Sequence, residues 1–274
     1  MKYPLSQRLR AFLRRLEREA ELSKKNAGFF GFRLRFGDAE ARLAKAWNRY
    51  YEAIVWGDRN DASNDRLKPD ERRVIDRYLG DSVHAGLVLE VGSGSGRVTE
   101  HLMRRSVRVL ALDREEAPLE RLRERFSKGP GPNLETVCAD FAGSIARLPK
   151  VDSVFLMENL AGMNPVFADR ARIYRNAYAC LKRQGIAVFA YRVDENLRGA
   201  AILNQVMPYE IEDAVELFGE NVPKIYGFAL NWSRAALPAE LAGVCPGFEQ
   251  VEIVPGNKRP AGGRMMYGVF RKTR

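Results

Sequence analysis

The chain has 274 residues, of which 46% are hydrophobic and 29% charged, with a formal net charge of +10. This is the composition of a globular protein, long enough for one large domain or a domain with an appendage. No run of 18 apolar residues occurs, which excludes a helical membrane span, and residues 1–25 lack the continuous apolar core of a secretory signal. Cys138, Cys180 and Cys245 are odd in number and widely spaced. They show neither zinc-ligand spacing nor a disulfide framework, and are expected to be buried free thiols in a reducing, cytoplasmic compartment.

The charge is concentrated at the ends. Residues 1–36 carry ten Lys/Arg against three Glu, and residues 257–274 carry six Lys/Arg and no acid. The segment between is close to neutral. Basic ends of this kind serve either as solvated helix faces or as contacts to nucleic acid or an anionic membrane surface.

In chain order, residues 6–21 predict a first helix with Leu9, Phe12, Leu13 and Leu16 on one stripe flanked by arginines, which packs on the parent domain or lies on a membrane interface. Residues 38–55 predict a second helix bearing Leu43, Trp47, Tyr50, Tyr51, Ile54 and Val55, followed by Trp56. Such a stripe reads either as core packing or as a lid over a ligand. Residues 58–68 are polar and turn-rich. Pro69 suits the first turn of a third helix, residues 69–78, that leads into the core.

The most informative stretch is residues 87–113. Leu87, Val88, Leu89 and Val91 form an apolar run typical of a buried parallel strand, with Glu90 as its one charged member. Gly92, Gly94 and Gly96 alternate with Ser93 and Ser95, a loop whose backbone turns tightly where side chains would obstruct a ligand. A helix burying Val98, Leu102 and Met103 follows, and then a second strand ending on Asp113, 21 residues after Gly92. Taken alone, the loop is compatible with an ordinary tight turn of an α/β domain. The dinucleotide fingerprint Gly-x-Gly-x-x-Gly is not matched, because the third glycine falls one place early.

Residues 134–139 predict a third strand ending in Asp140-Phe141, and residues 152–157 a fourth ending in Glu158-Asn159. A helix over 169–181 leads through Lys182-Arg183-Gln184-Gly185 to a fifth strand, residues 186–191. Residues 250–254 and 265–270 predict a closing antiparallel pair. Between strand five and that pair lie about 56 residues, 192–247, predicted to contain helices at 197–205 and 209–218 and a further helix at 238–244.

The spacing Glu-x-Gly-x-Gly-x-Gly at residues 90–96, with Asp113, Asp140 and Glu158 closing strands two, three and four, resembles the class I methyltransferases that use S-adenosylmethionine. The resemblance covers residues 87–274 and implies a seven-stranded, mostly parallel, doubly wound α/β sheet with an antiparallel last strand. A helical extension over residues 1–80 would serve as a lid, and the core over 81–274 would carry a helical substrate-cover insertion at 193–235. It implies that Glu90, Gly92, Ser93, Gly94 and Gly96 hold the methionine end of the cofactor. Asp113, with Arg114 beside it, would hold the ribose hydroxyls, Asp140 and Phe141 the adenine, and Glu158 would border the cofactor site.

Methyl transfer from a sulfonium asks mainly for alignment and exclusion of water. Glu158 is the candidate base or ammonium anchor, or else a structural salt-bridge partner. Asn159, Tyr191 and Arg192 are candidates to orient the acceptor, Arg192 being suited to a carboxylate or phosphate. Trp47, Tyr50, Tyr51 and Trp56 are candidate substrate contacts. His84 and His101 read as structural. Glu158, Asp194 and Asn196 match a magnesium-dependent pattern only loosely and out of register, so no metal is expected. The Asn/Asp-Pro-Pro-aromatic signature of enzymes that methylate base amino groups is absent after strand four. The expectation is therefore an enzyme methylating N or O of a small molecule in an enclosed pocket. The alternatives are an RNA or protein methyltransferase recruited by the basic ends, a lipid-directed form using residues 6–21, and a non-catalytic scaffold of the same fold.

Overall fold

The computed structural model describes residues 67–79, 86–94, 96–105, 108–127, 133–143, 145, 148–158, 160–163, 167–195, 202–208, 226–258 and 263–274. The helices expected at 6–21, 38–55 and 209–218 lie outside these residues. The chain divides into two compact units, residues 1–59 with 206–227, and residues 60–205 with 228–274. The second is the larger and holds the parallel sheet.

This larger unit begins with α1 (Pro69–Leu79) and alternates β1 (Leu87–Val91), α2 (Arg97–Arg104), β2 (Arg108–Asp113), α3 (Glu116–Phe126), β3 (Leu134–Cys138) and β4 (Val151–Leu156). A short 3₁₀ turn (Ala161–Met163) and α4 (Phe167–Cys180) lead to β5 (Leu181–Val193). β6 (Ile202–Pro208) and β7 (Tyr226–Trp232), each of which straddles the boundary between the two units, precede α5 (Ala236–Val244), β8 (Phe248–Lys258) and β9 (Arg264–Lys272). These strands form one sheet in which β3-β2-β1-β4-β5 are successive parallel neighbours. β9 runs antiparallel beside β5 and pairs in turn with β8. Counting β8 and β9 as the sixth and seventh strands, the order is 3-2-1-4-5-7-6 with only the last strand reversed, which is the class I methyltransferase fold. β7 and β6 extend the path beyond β5, with Val193 paired to Trp232.

The alternation of side chains along each strand builds two cores. On one face Leu89, Val91, Leu110, Leu112, Val154, Leu156 and Phe189 meet Ile173, Tyr174 and Ala177 of α4 and Leu237 and Leu241 of α5. On the other, Val88, Val109, Ala111, Phe155 and Val188 meet α1, α2 and α3 through Val74, Ile75, Val98, Leu102, Leu119 and Leu122. The sheet is covered on both sides, as its parallel pairing requires. α1 is fixed at its N-terminus by Asp70, whose Oδ2 accepts from the Asn257 backbone N–H and from the Tyr267 hydroxyl, each at 2.9 Å.

Two expectations are corrected. Residues 202–205, expected to end a helix, belong to β6; a short mixed run such as Ile202-Leu203-Asn204-Gln205-Val206 suits either period, and the neighbouring strand decides it. Cys180 and Cys245 are buried free thiols, but Cys138 is exposed, because it ends β3, the edge strand of the sheet. Among the described residues no helix is long and apolar enough to cross a membrane.

The α4–α5 contact rests on a buried ion pair. Arg170 donates from Nη2 to Glu240 Oε1 at 2.6 Å and from Nε to Oε2 at 3.1 Å, and the Tyr174 hydroxyl donates to the same carboxylate at 2.9 Å. Replacing Glu240 with alanine leaves a buried guanidinium without its carboxylate, and is expected to lower unfolding free energy by about 3–5 kcal/mol in urea denaturation. A loss below about 1 kcal/mol, the range of an exposed pair, would contradict the assignment.

Candidate functional site

β1 lies between β2 and β4, and the three end together at the carboxyl edge of the sheet, the edge where open α/β folds bind ligands. The chain leaves β1 through Gly92, Gly94 and Gly96, all with positive φ, of 72°, 53° and 89°. Glycine is required at the last of these for two reasons. A side chain resists that dihedral, and a Cβ there would stand 2.1 Å from Leu122 Cδ1 of α3. The loop is pinned to β2 by backbone bonds from Gly92 and Ser93 to the Leu112 carbonyl, at 2.7 and 3.1 Å.

Asp113 completes that attachment. Its Oδ2 accepts from the Gly94 backbone N–H at 2.9 Å and its Oδ1 from the Glu115 N–H at 3.1 Å. A carboxylate has about four acceptor positions, so both oxygens retain capacity for further donors. Ser93, between two glycines, is buried, and its hydroxyl has no hydrogen-bond partner among the described residues. A buried unsatisfied hydroxyl costs about 1–3 kcal/mol, so this loop is incomplete as a self-contained turn and fits a polar ligand.

Glu90 lies beneath the loop in the middle of β1, paired with Ala111 on one side and Phe155 on the other. It is 3% exposed and accepts a 2.5 Å hydrogen bond from the Thr99 hydroxyl of α2. Burial pushes its carboxyl up to about 8, against the opposing pull of the Thr99 hydrogen bond and the Arg97 charge. At the end of β4, Glu158 adopts φ 55°. Its Oε1 takes an ion pair from Arg97 Nη2 at 3.0 Å and another from Lys68 Nζ, while Arg97 Nη1 pairs with Glu71 of α1.

Residues 88–185 match a family model described as a methyltransferase domain. This stretch, about a third of the chain, is similar to the methyltransferase domain, and the sheet around it has the class I methyltransferase fold. Over 105 residues the chain is 31% identical to a probable ribosomal RNA small subunit methyltransferase A of Natronomonas pharaonis, covering 34% of this chain and 38% of that one. A protein of the same description from Haloarcula marismortui is 33% identical over 106 residues, covering 34% and 37%. The chain thus spans a little over a third of the length of these curated relatives.

Among solved structures, the 1,6-didemethyltoxoflavin-N1-methyltransferase of Burkholderia thailandensis, bound to its substrate and S-adenosylhomocysteine, superposes with TM-score 0.61 at 17% identity, covering 86% of this chain and 90% of that one. The glycopeptide N-methyltransferase MtfA with S-adenosylmethionine gives 0.58 at 16%, covering 73% and 92%. At these identities, the superpositions show a shared fold.

The structure brings Glu90, Gly92, Ser93, Gly94, Gly96, Asp113 and Glu158 to the carboxyl ends of β1, β2 and β4. Arg114 is exposed beside Asp113 and pairs with Glu115 at 3.1 Å. Asp140 is exposed after β3 and closes a tight turn, its Oδ1 accepting from Ala142 N–H at 2.9 Å, while Phe141 is buried in the α4-side core. Arg192 is 8% exposed near the end of β5, and burial pulls its guanidinium below the ordinary value, with Asp194 opposing.

Tyr191, expected to orient an acceptor, is instead fully buried. It donates to the Arg234 carbonyl at 3.0 Å and packs edge-on against Trp232. Strand alternation explains this, since residue 191 shares the inner face with Phe189 and Val193. His101 contacts Asp76 of α1 at 2.7 Å, consistent with a structural role. Asn159, Trp47, Tyr50, Tyr51 and Trp56 lie outside the described residues. Lys68, Glu71 and Arg97 join the site without having been singled out by sequence; the one local signal is that Arg97 directly follows Gly96.

Gly96→Ala should destabilise the protein by about 2–4 kcal/mol, combining overpacking with a left-handed backbone, read as a fall in thermal midpoint. For Glu90, the unfolded chain releases the proton near pH 4.5 while the folded protein holds it to about 8. Its contribution to stability is therefore fully present below pH 4.5 and is lost as pH rises towards 8. Glu90→Gln should gain stability relative to the wild type between pH 5 and pH 8, by on the order of a few kcal/mol; a pH-independent difference in denaturation midpoint would contradict this.

Proposed function

We propose that the chain is an S-adenosylmethionine-dependent methyltransferase acting on a nitrogen or oxygen of a small-molecule acceptor by in-line displacement. The observation that carries the cofactor reading is the conjunction of Asp113 with the glycine loop. An acid at the tip of β2 grips a loop that a side chain would obstruct, and the buried Ser93 hydroxyl beside it awaits a partner.

In this reading the loop amides and Ser93 take the amino-acid end of the cofactor, Asp113 accepts from the ribose hydroxyls with Arg114 beside it, and Asp140 faces the adenine, with Phe141 supporting that turn from the core. The cofactor supplies an electrophilic methyl group on its sulfonium. The chain's own work is to align the acceptor and exclude water. Glu158, with two cations already against it, is better suited to anchoring an ammonium than to removing a proton. Arg192 is suited to a carboxylate or phosphate of the acceptor. We assign the cover over the acceptor to residues 1–80, with Trp47, Tyr50, Tyr51 and Trp56, and to the insertion at 193–235.

The small-molecule reading is supported by the two solved neighbours, one a toxoflavin and the other a glycopeptide methyltransferase. An RNA acceptor is the second reading, favoured by the ribosomal RNA methyltransferase description of the curated relatives and by the basic ends.

Calorimetric titration of S-adenosylhomocysteine tests the first step. The wild type should bind at micromolar level and Asp113→Ala should lose about 1.5 kcal/mol or more, as loss of hydrogen bonds to a charged acceptor implies. Absence of wild-type binding would put a scaffold role in its place. A structured ribosomal RNA fragment should bind weakly and without preference over a scrambled one. Tight, sequence-preferring binding that falls steeply with salt would transfer the assignment to RNA.

A further inference from the structure

Four charged side chains at the carboxyl edge form one chain of ion pairs that joins three separate elements. Glu71 of α1 is 1% exposed, accepts from the Lys68 backbone N–H at 3.0 Å, and pairs with Arg97 Nη1. Arg97, the first residue of α2 after the glycine loop, has a side chain 12% exposed and reaches Glu158 Oε1 at 3.0 Å through Nη2. Lys68, immediately before α1, holds the same carboxylate oxygen. A planar guanidinium with five N–H donors can bridge two carboxylates in this way, whereas an ammonium cannot hold them in a fixed plane.

The place of this chain in the sheet says what it faces. β1 separates β2 from β4. If Asp113 at the end of β2 takes the ribose, the amino-acid end of the cofactor lies across the glycine loop towards β4, where Arg97 and Glu158 meet. That end is a zwitterion and calls for a fixed cation and a fixed anion side by side. Arg97 and Lys68 balance Glu71 and Glu158 in charge, so a net-neutral ligand end enters without adding net charge beside the buried Glu71 and the largely buried Arg97.

We propose that Arg97, held in place by the buried Glu71, is a positioning residue for the amino-acid end of the cofactor, and that with Lys68 and Glu158 it forms a mixed-charge cradle there. The inference rests on the cofactor reading given above. It also makes α1 part of the cofactor site, since Lys68 and Glu71 reach the loop only while α1 is docked through Asp70 on β8 and β9.

The test compares two ligands that share the adenosine and thioether and differ in the amino-acid end: S-adenosylhomocysteine, which has it, and 5′-methylthioadenosine, which does not. Arg97→Lys and Glu71→Gln should each weaken S-adenosylhomocysteine by about tenfold or more, the scale of a lost charge-assisted hydrogen bond, and leave 5′-methylthioadenosine within about twofold of the wild type. Lys68→Met, at a partly exposed position, should shift the same ligand selectively by a smaller factor, and carries the test alone if the other two variants do not fold. Equal weakening of both ligands, or no weakening of either, overturns the proposal while the cofactor reading stands. A wild type that binds neither ligand overturns the cofactor reading and this inference with it.

Discussion

The carboxylate of Asp113 is the constraint on which the edge of this sheet depends. A loop of three positive-φ glycines has little side-chain packing to hold it, and its shape comes from what its amides bind. Two of them reach the Leu112 carbonyl and a third reaches Asp113. The acid at the tip of β2 thus shapes the loop after β1, and the parallel register that sets Val91 beside Leu112 brings them together. Ligand chemistry is placed by strand pairing, and strand pairing by the two apolar faces that bury it.

The same register decides which charges can coexist at the edge. Glu90 stands in the central strand with protein on both faces, and Thr99 satisfies it as a hydrogen-bond donor. Burial raises its carboxyl towards neutrality, which removes one negative charge from a neighbourhood that already holds Glu71, Asp113 and Glu158. Of these, Glu71 and Glu158 are matched in charge by Arg97 and Lys68. Loop shape, sheet order and charge balance all favour a compact zwitterionic ligand end with a hydroxyl-bearing group beyond it, and none of them requires a residue from the far side of the sheet.

Much of this is legible in the sequence because it is local. The apolar run of β1, the alternating glycines, the acid after β2 and the closing antiparallel strands each announce themselves within a few residues, and the fold follows from their order. Three kinds of feature are not legible. The short run at 202–208 carries no period that separates helix from strand, and its partner in the sheet settles it as β6. Tyr191 looks available because it ends an apolar run, but its face is set by alternation from Phe189, which sends the ring into the core. The ion-pair chain joins residues 61 and 90 positions apart, Arg97 and Lys68 to Glu158. Sheet order brings Arg97 to Glu158, and the docking of α1 brings Lys68 to the same carboxylate; beyond the position of Arg97 directly after Gly96, nothing in their local sequence announces it.

The most direct test of the central claim is amide hydrogen exchange with and without S-adenosylhomocysteine, read peptide by peptide. If Asp113 and the glycine loop form the cofactor site, the ligand should slow exchange most over residues 92–96 and 113–115, with lesser effects near 140 and 158, and leave β8 and β9 unchanged. Saturating ligand that leaves residues 92–96 and 113–115 unprotected, or protects only a distant segment, would contradict the account.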